Sequence, residues 1–279
     1  MVNRKLIKVC GLRDGENIRQ VAALGVDWIG MIFWDRSPRN VTMIPTHAGI
    51  IPDRGNLPPA PSEGDLPPAP FEGRGSELPQ AAHGAPLRVG VFVDEMAQNI
   101  ITRVVNFQLD LIQLHGHETP TLIRNLRRTL DPAAMGDSAP AAMADGAPTI
   151  HLGAIRPGIK FIKAISVGSA DDIALYKQYE DCVDYFLFDT KCQTVGGSGQ
   201  QFDWSILAAY DGEKPFLLSG GIGPDDAPRL RSLFASSATA VGGFPADKCI
   251  GIDLNSRFET APGLKDIDAL KHFLTELQN

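Results

Sequence analysis

The chain has no long apolar run, no cluster of basic residues and no closely paired cysteines. No window approaches the roughly 20 apolar residues that a membrane-spanning helix needs, which argues against a membrane protein. The apolar stretch that follows Met1–Lys5 is too short for the core of a signal peptide. We therefore expect a soluble, cytoplasmic protein with no membrane partner.

The basic residues are too dispersed for a nucleic-acid-binding surface. No run of Lys or Arg exceeds two residues, and the formal net charge is −7. Neutralising the phosphates of a duplex requires clustered cations, so we expect no nucleic-acid partner. The cysteines form no C-x-x-C pair, which argues against a zinc ribbon or a dithiol redox site, and free thiols suit a reducing compartment. They are Cys10, Cys182, Cys192 and Cys249.

Apolar residues make up an ordinary 43% of the chain and are arranged in short runs. Eight runs rich in Val, Ile, Leu and Phe are typical of buried parallel strands, and helical patterns lie between most of them. This alternation predicts an α/β protein, a (β/α)8 TIM barrel with its helices outside. The predicted strands are Leu6–Cys10, Trp28–Phe33, Leu87–Val93, Leu111–His115, Phe161–Ile165, Tyr185–Asp189, Phe216–Ser219 and Ile250–Asp253.

Two intervals between predicted strands are too long for one βα unit. Most strand starts lie 22 to 34 residues apart, but the third and fifth strands follow intervals of 59 and 50 residues. Residues 52–86 are Pro/Gly-rich and residues 131–158 are rich in Ala, Gly and Pro. Such segments bury too little apolar surface to offset chain entropy, so we predict two mobile loops at the N-terminal face of a single barrel spanning residues 1–279. A polyproline II ligand for a partner is the alternative interpretation of the first loop.

Candidate acid–base residues stand at the ends of two strands, where barrel enzymes bind substrate. Lys8 and Cys10 are two positions apart and face the same side, so the ammonium is expected to lower the thiol pKa and favour the thiolate. A small buried hydrophobe is the alternative for Cys10. Asp189 ends an apolar strand, where a carboxylate is costly unless it is paired or catalytic. Capping of the next turn is its alternative.

The last two strand ends carry a pattern suited to phosphate. Gly220 and Gly221 let backbone N–H groups approach an anion closely. Asn255 and Ser256 can open a short helix whose N-terminus faces the same anion. Phosphate sites of barrels commonly lie after these two strands. The Gly-rich loop at residues 195–200 is expected to be a lid that closes on substrate.

The segment His115-Gly116-His117 invites a metal interpretation. No third histidine and no convergent carboxylate is evident from the sequence, so we expect no metal. His115 is then expected to line the pocket, and His117 to be a solvated loop residue.

A set of motifs runs in order along nearly the whole chain, apart from the two long intervals. The motifs are Lys8–Leu12, Gly30–Trp34 with Ser37–Val41, Arg88–Val93, Gln113–Gly116, Phe188–Lys191 with Gly196–Gly199 and Phe202–Trp204, Leu218–Gly221, and Gly251–Asp253 with Glu259 and Pro262-Gly263. This ordered set resembles the phosphoribosylanthranilate isomerase family of tryptophan biosynthesis.

The resemblance implies a cofactor-free aldose–ketose isomerase, an intramolecular oxidoreductase. Its reaction is the Amadori rearrangement of N-(5-phosphoribosyl)anthranilate to the corresponding carboxyphenylamino-deoxyribulose phosphate. By analogy with the family, Asp189 is the general acid that opens the ribose ring and Cys10 is the general base that removes the C2 proton. Arg39 matches the residue that binds the anthranilate carboxylate, a suitable partner for a guanidinium.

Further residues are expected at the substrate and its phosphate. They are His115 and Asp253 for the substrate, and Gly220, Gly221, Asn255 and Ser256 for the phosphate. The family usually has Ser-Ser-Gly where this chain has Asn255-Ser256-Arg257. Arg257 therefore either adds charge to the phosphate site or faces solvent.

Other functions remain open alongside this one. The aminoaldose isomerase of histidine synthesis typically uses two aspartates, and Cys10 argues against it. Indole-glycerol-phosphate synthase would need a catalytic lysine and different strand ends. A non-catalytic phosphosugar-binding barrel would lack the acid or the base, and both are present here. A differently specific phosphosugar-binding barrel is the remaining alternative. The partner is expected to be a small phosphorylated substrate, bound by a monomer or a homodimer.

Deleting residues 52–86 or 131–158 is expected to leave kcat nearly intact, because active sites of this fold lie at the face opposite to the predicted loops. Steady-state turnover of each folded deletion variant is the measurement. A large loss of kcat in a variant that retains its fold would show that the loop serves catalysis.

Overall fold

Eight parallel strands form a closed barrel, with each strand hydrogen-bonded to its neighbours in chain order and β8 returning to β1. The computed structural model describes residues 4–42, 85–135, 154–190, 204–235 and 243–278. The strands are β1 (Leu6–Val9), β2 (Trp28–Ile32), β3 (Leu87–Phe92), β4 (Leu111–Leu114), β5 (Lys160–Val167), β6 (Tyr185–Thr190), β7 (Phe216–Ser219) and β8 (Cys249–Leu254). The predicted fold class and all eight strands are confirmed.

Side-chain alternation divides the barrel into an inner and an outer layer. Leu6 and Cys10 belong to the cluster that fills the barrel, whereas Ile7 and Val9 belong to the larger cluster between the strands and the helices. Alternate residues of a strand face the same side, so Lys8, which lies between Leu6 and Cys10, also points into the barrel. The prediction that Lys8 and Cys10 share a side is therefore confirmed.

Helices cover the outside of the barrel. The α-helices among the described residues are α1 (Gly15–Ala23), α2 (Ala97–Phe107), α3 (Pro120–Leu130), α4 (Ala170–Ile173), α5 (Ala227–Ala235) and α6 (Ile267–Gln278). Asp14 caps α1 by accepting from the N–H of Asn17, and Thr119 caps α3 ahead of a proline in its first turn. None of these helices is long and apolar enough to cross a membrane.

Short 3-10 helices replace part of the expected helical layer. Ala174–Gln178 extends the single turn of α4, and Trp204–Ala209 precedes β7. A further 3-10 turn, Ser256–Phe258, follows β8 and leads into a two-stranded antiparallel ribbon of β9 (Glu259–Ala261) and β10 (Leu264–Lys265). This ribbon contributes two charged side chains to the C-terminal mouth of the barrel.

Most of each predicted loop lies outside the described residues. The two described ends of the second loop meet below β4 and β5: Gly158 donates to Asp131 at 2.7 Å, and Arg156 pairs with Asp110 at 2.5 Å. Asp110 immediately precedes β4, so these ends lie at the N-terminal face of the barrel. The mobility of residues 52–86 and 131–158, and the lid at residues 195–200, stay predictions.

Candidate active site

A buried ion pair lies at the centre of the barrel mouth. Lys8 on β1 and Asp253 on β8 are in register across neighbouring strands, and Lys8 Nζ lies 2.7 Å from Asp253 Oδ1. The Lys8 side chain is fully buried and that of Asp253 nearly so. Ser219 Oγ on β7 donates to the second carboxylate oxygen of Asp253 at 3.2 Å. Three consecutive strands of the closed sheet thus share one polar network.

Cys10 follows β1 and is buried beside this pair. The Cys10 side chain lies close to β2: a side chain added at Gly30 would meet the thiol sulfur at 2.7 Å. The glycine at this position therefore makes room for the thiol on the inner surface.

The electrostatic environment of Cys10 differs from the sequence expectation. Burial raises the pKa of the thiol, and Asp253 adds to this, while Lys8 and Lys265 lower it and Lys8 also hydrogen-bonds it. The net pKa is raised, so the expected lowering by Lys8 is present but smaller than the cost of desolvating the thiolate. Burial also disfavours the charged form of Lys8, but Asp253 and Cys10 outweigh it and raise the pKa of Lys8. Its ammonium is thereby maintained.

Asp189 lies on β6, which is separated from β1 by β7 and β8 in the closed sheet. Its side chain is 31% exposed and accessible from the mouth. Asp189 Oδ2 lies 3.3 Å from His115 Nε2, and His115 Nδ1 lies 3.3 Å from Gln113 Nε2. His115 thus stands beside Asp189 and connects it to β4 through Gln113. Cys10 and Asp189 are both in the inward-facing phase of well-separated strands.

Arg39 follows β2 and is held by a carboxylate of the β9 strand. Its Nε and Nη2 both bond Glu259, with Nη2 at 2.6 Å from Oε2. Lys265 Nζ lies 2.7 Å from Oε1 of the same carboxylate. Hydrogen bonds from Arg39 and Lys265 hold the pKa of Glu259 below its ordinary value despite burial. Two cations around one anion leave this cluster with a positive surplus at the mouth.

The cluster also reaches Cys10. Lys265 donates to the side-chain oxygen of Asn255 at 2.9 Å, and a side chain at Gly11 would meet that oxygen at 2.6 Å and Arg39 Cδ at 2.7 Å. Arg39 and Asn255 therefore pack over the residue that follows Cys10.

The two glycines after β7 both have positive φ angles. Gly220 and Gly221 have φ angles of 91° and 68°, in the region where side chains are strained. An added side chain at Gly221 would meet no atom of the described residues within 4 Å, so these residues leave the space above it open. Asn255 stands at the N-cap of the Ser256–Phe258 turn, as the sequence predicts.

Arg257 lies against the β7 loop and is exposed. Its Nε and Nη2 are 3.0 and 3.3 Å from the point that a side chain at Gly223 would occupy. The guanidinium therefore folds back onto the segment that follows Gly220 and Gly221.

His117 is almost fully exposed and pairs with Asp94 at 3.2 Å, as expected for a solvated loop residue. No group of three or more metal-ligating side chains occurs among the residues that the structure describes.

Comparison with known proteins bears on the function of this mouth. The family profile described as N-(5'phosphoribosyl)anthranilate (PRA) isomerase matches residues 76–134 and 150–276. The chain belongs to the phosphoribosylanthranilate isomerase family. It is 37% identical over 272 residues to N-(5'-phosphoribosyl)anthranilate isomerase of Parabacteroides distasonis, covering 98% of this chain and 93% of the relative. It is 35% identical over 273 residues to the protein of that name in Phocaeicola vulgatus, covering 98% of each.

A solved member of the phosphoribosylanthranilate isomerase family shares the architecture. The crystal structure of phosphoribosyl anthranilate isomerase from Thermotoga maritima is similar with a TM-score of 0.61 and 26% sequence identity, and the similarity covers 99% of both chains. The family resemblance drawn from the ordered motifs is therefore confirmed.

Sequence patterns assign no role to three residues that the structure places at the mouth, namely Gln113, Glu259 and Lys265. For Gln113 a signal is present, because it lies midway between inward-facing Leu111 and His115. Glu259 belongs to the ordered motif set, but that set does not indicate its partners, and Lys265 carries no signal. The positions of both residues depend on a ribbon after the last strand.

Replacing Lys8 with Met is expected to raise the pKa of Cys10 further. The change removes the cation that stabilises the thiolate and leaves Asp253 uncompensated nearby, and both effects disfavour the thiolate. Thiolate absorbance should then develop at higher pH, measured as the difference between each protein and its Cys10→Ser counterpart. Lys271→Met, the same change on the exposed face of α6, is the control. An unchanged or lowered midpoint would contradict the assignment of Lys8.

Proposed function

We propose that the chain catalyses the Amadori rearrangement of N-(5-phosphoribosyl)anthranilate to 1-(2-carboxyphenylamino)-1-deoxyribulose 5-phosphate, in tryptophan biosynthesis, with Asp189 as acid and Cys10 as base. The observation that carries this proposal is the placement of one accessible carboxyl and one buried thiol on separate strands around the same mouth. The rearrangement needs a proton donor for one step and a base for the next.

The first step opens the ribose ring. Asp189 gives its proton to the ring oxygen, the bond from that oxygen to C1 breaks, and the nitrogen lone pair forms a C1–N double bond. The product is a cationic Schiff base. The partial exposure of Asp189 supports this role, because the ring oxygen must come within hydrogen-bond reach of the carboxyl.

The second step moves the double bond. Cys10 removes the proton from C2, the C–H electrons form a C1–C2 double bond, and the nitrogen recovers its lone pair. The resulting enolamine becomes the ketone when C1 takes up a proton and the C2 hydroxyl loses one. Burial raises the pKa of Cys10 in the free protein, but the positive charge of the Schiff base favours the thiolate at this step.

Three groups of residues hold the substrate in the proposed complex. Arg39, whose Nη1 bonds none of the described residues, offers its remaining edge to the anthranilate carboxylate, which the positive surplus around Glu259 also favours. Asp253 contacts the sugar, since its carboxylate has lone pairs beyond those that Lys8 and Ser219 use, and the ring of His115 packs against the sugar beside Asp189. The phosphate lies over the open space at the last two strand ends, at Gly220, Gly221, Asn255 and Ser256.

The proposed reaction needs no metal or organic cofactor, because proton transfers between the substrate and two side chains complete it. We place the enzyme in the cytoplasm as a monomer or a homodimer. The three described cysteines, Cys10, Cys182 and Cys249, are buried and unpaired, which is compatible with a reducing compartment.

Cys10→Ala and Asp189→Asn are each expected to lower kcat by roughly 10²- to 10⁴-fold, the usual contribution of a general acid or base. The measurement is steady-state turnover of the phosphoribosylated amine, with rescue of a tryptophan auxotroph that lacks this isomerase as a second readout. Cys182→Ala, at another buried thiol, is the matched control. No rescue by well-expressed wild type would refute the function, and full rescue by both variants would refute the mechanism.

Arg39→Ala is expected to raise KM by roughly tenfold to a hundredfold, since a hydrogen bond to a charged group contributes about 1.5–3 kcal/mol. Arg39→Lys should recover little, because an ammonium lacks the planar fork. Steady-state kinetics with the anthranilate substrate and with the aniline analogue, which lacks the carboxylate, separate binding from structure. An equal loss with both substrates would contradict a carboxylate-binding role.

A further inference from the structure

Gln113 is a buried amide in the apolar lining of the barrel. It is 1% exposed, and its registered neighbours on β3 and β5 are Val91 and Ile162, which belong to the inner apolar cluster. Its carbonyl oxygen, Oε1, is buried without a hydrogen-bond donor among the described residues. An unsatisfied buried acceptor costs about 1–3 kcal/mol, so a leucine here would be more favourable for packing alone. Packing alone therefore does not explain the amide group, which leaves a role in function through its hydrogen bonds.

The amide nitrogen of Gln113 indicates such a role. Gln113 Nε2 lies 3.3 Å from His115 Nδ1, and an amide nitrogen can only donate. His115 Nδ1 must then be the accepting nitrogen of a neutral ring, which places the ring proton on Nε2. That nitrogen lies 3.3 Å from Asp189 Oδ2. One hydrogen bond and one polar contact thus follow each other, from Gln113 through His115 to Asp189.

We propose that Gln113 is a positioning residue that fixes His115 in its Nε2–H tautomer and thereby directs an N–H at Asp189 Oδ2. The inference rests on the proposed function for its consequence in catalysis. Because this N–H faces Oδ2, the transferable proton of Asp189 resides on Oδ1. The amide therefore determines which carboxyl oxygen serves as the acid.

The opposite tautomer makes a different prediction. If Nδ1 carried the proton, Nε2 would present a lone pair to Asp189, and an ionised carboxylate would face a second acceptor. The two arrangements differ in which ring nitrogen is protonated, and nitrogen-15 chemical shifts distinguish a protonated from an unprotonated imidazole nitrogen. The proposal is therefore testable without any measurement of activity.

The experiment uses full-length protein labelled with nitrogen-15 at its 6 histidines. The His115 signals are those lost in His115→Gln. Wild type is expected to show Nε2 protonated and Nδ1 unprotonated. Gln113→Glu keeps the shape and, once its carboxyl is ionised, offers Nδ1 only acceptors, so Nδ1 should become protonated at pH values above the titration of that carboxyl. Protonated Nδ1 in the wild type, or unprotonated Nδ1 in a folded Gln113→Glu protein whose new carboxyl is ionised, would overturn the proposal.

Kinetics provide a second, independent readout. Gln113→Leu is expected to lower kcat about tenfold with little change in KM, because loss of one orienting hydrogen bond affects the transition state rather than uniform binding. Gln98→Leu, the same change on the exposed face of α2, is the control and should behave as wild type. An unchanged kcat in Gln113→Leu would overturn the catalytic consequence. An inactive wild type with the expected tautomer would instead refute the proposed function alone.

Discussion

The ion pair between Lys8 and Asp253 is the interaction around which the rest of the barrel mouth is arranged. It joins the first and last strands of the closed sheet in a place that excludes water. Removing one partner of such a buried pair typically costs about 3–5 kcal/mol, because the other charge is left uncompensated. The same ammonium hydrogen-bonds Cys10, and the same carboxylate accepts from Ser219. The same contact therefore stabilises the junction of β1 and β8 and shapes the electrostatics of the candidate base.

A second charge cluster fixes the loops above this pair. Arg39 and Lys265 hold the carboxylate of Glu259 between them, and Lys265 also binds Asn255. Strands thus position the acid and base, whereas ion pairs position the loop residues proposed to recognise the substrate's carboxylate and phosphate. This division follows from the fold, since a strand end is fixed by the ladder and a loop is fixed only by its side-chain contacts.

Much of this arrangement is predictable from the order of residues in the chain. Short apolar runs locate all eight strands, and their alternation places Lys8 with Cys10 inside the barrel. Other features are not accessible in this way. Arg39 and Glu259 are 220 residues apart in the chain, so no local pattern indicates their pairing. The net shift of the Cys10 pKa also cannot be predicted from the sequence. The sequence shows a cation two residues away, but it does not show how deeply the thiol is buried.

Local patterns in the chain are enough to specify the barrel, the order of its strands, the residues at their carboxyl ends and the family to which the chain belongs. All of these follow from periodicity and from motifs. The interactions among those residues arise only in the folded barrel. Folding brings Gln113, His115 and Asp189 into consecutive polar contact and pairs one edge of Arg39 with Glu259. It also buries the Cys10 thiol so deeply that desolvation raises its pKa more than Lys8 lowers it. Each of these depends on distances and burial among strands that are remote in the chain, and such quantities exist only once the barrel has closed.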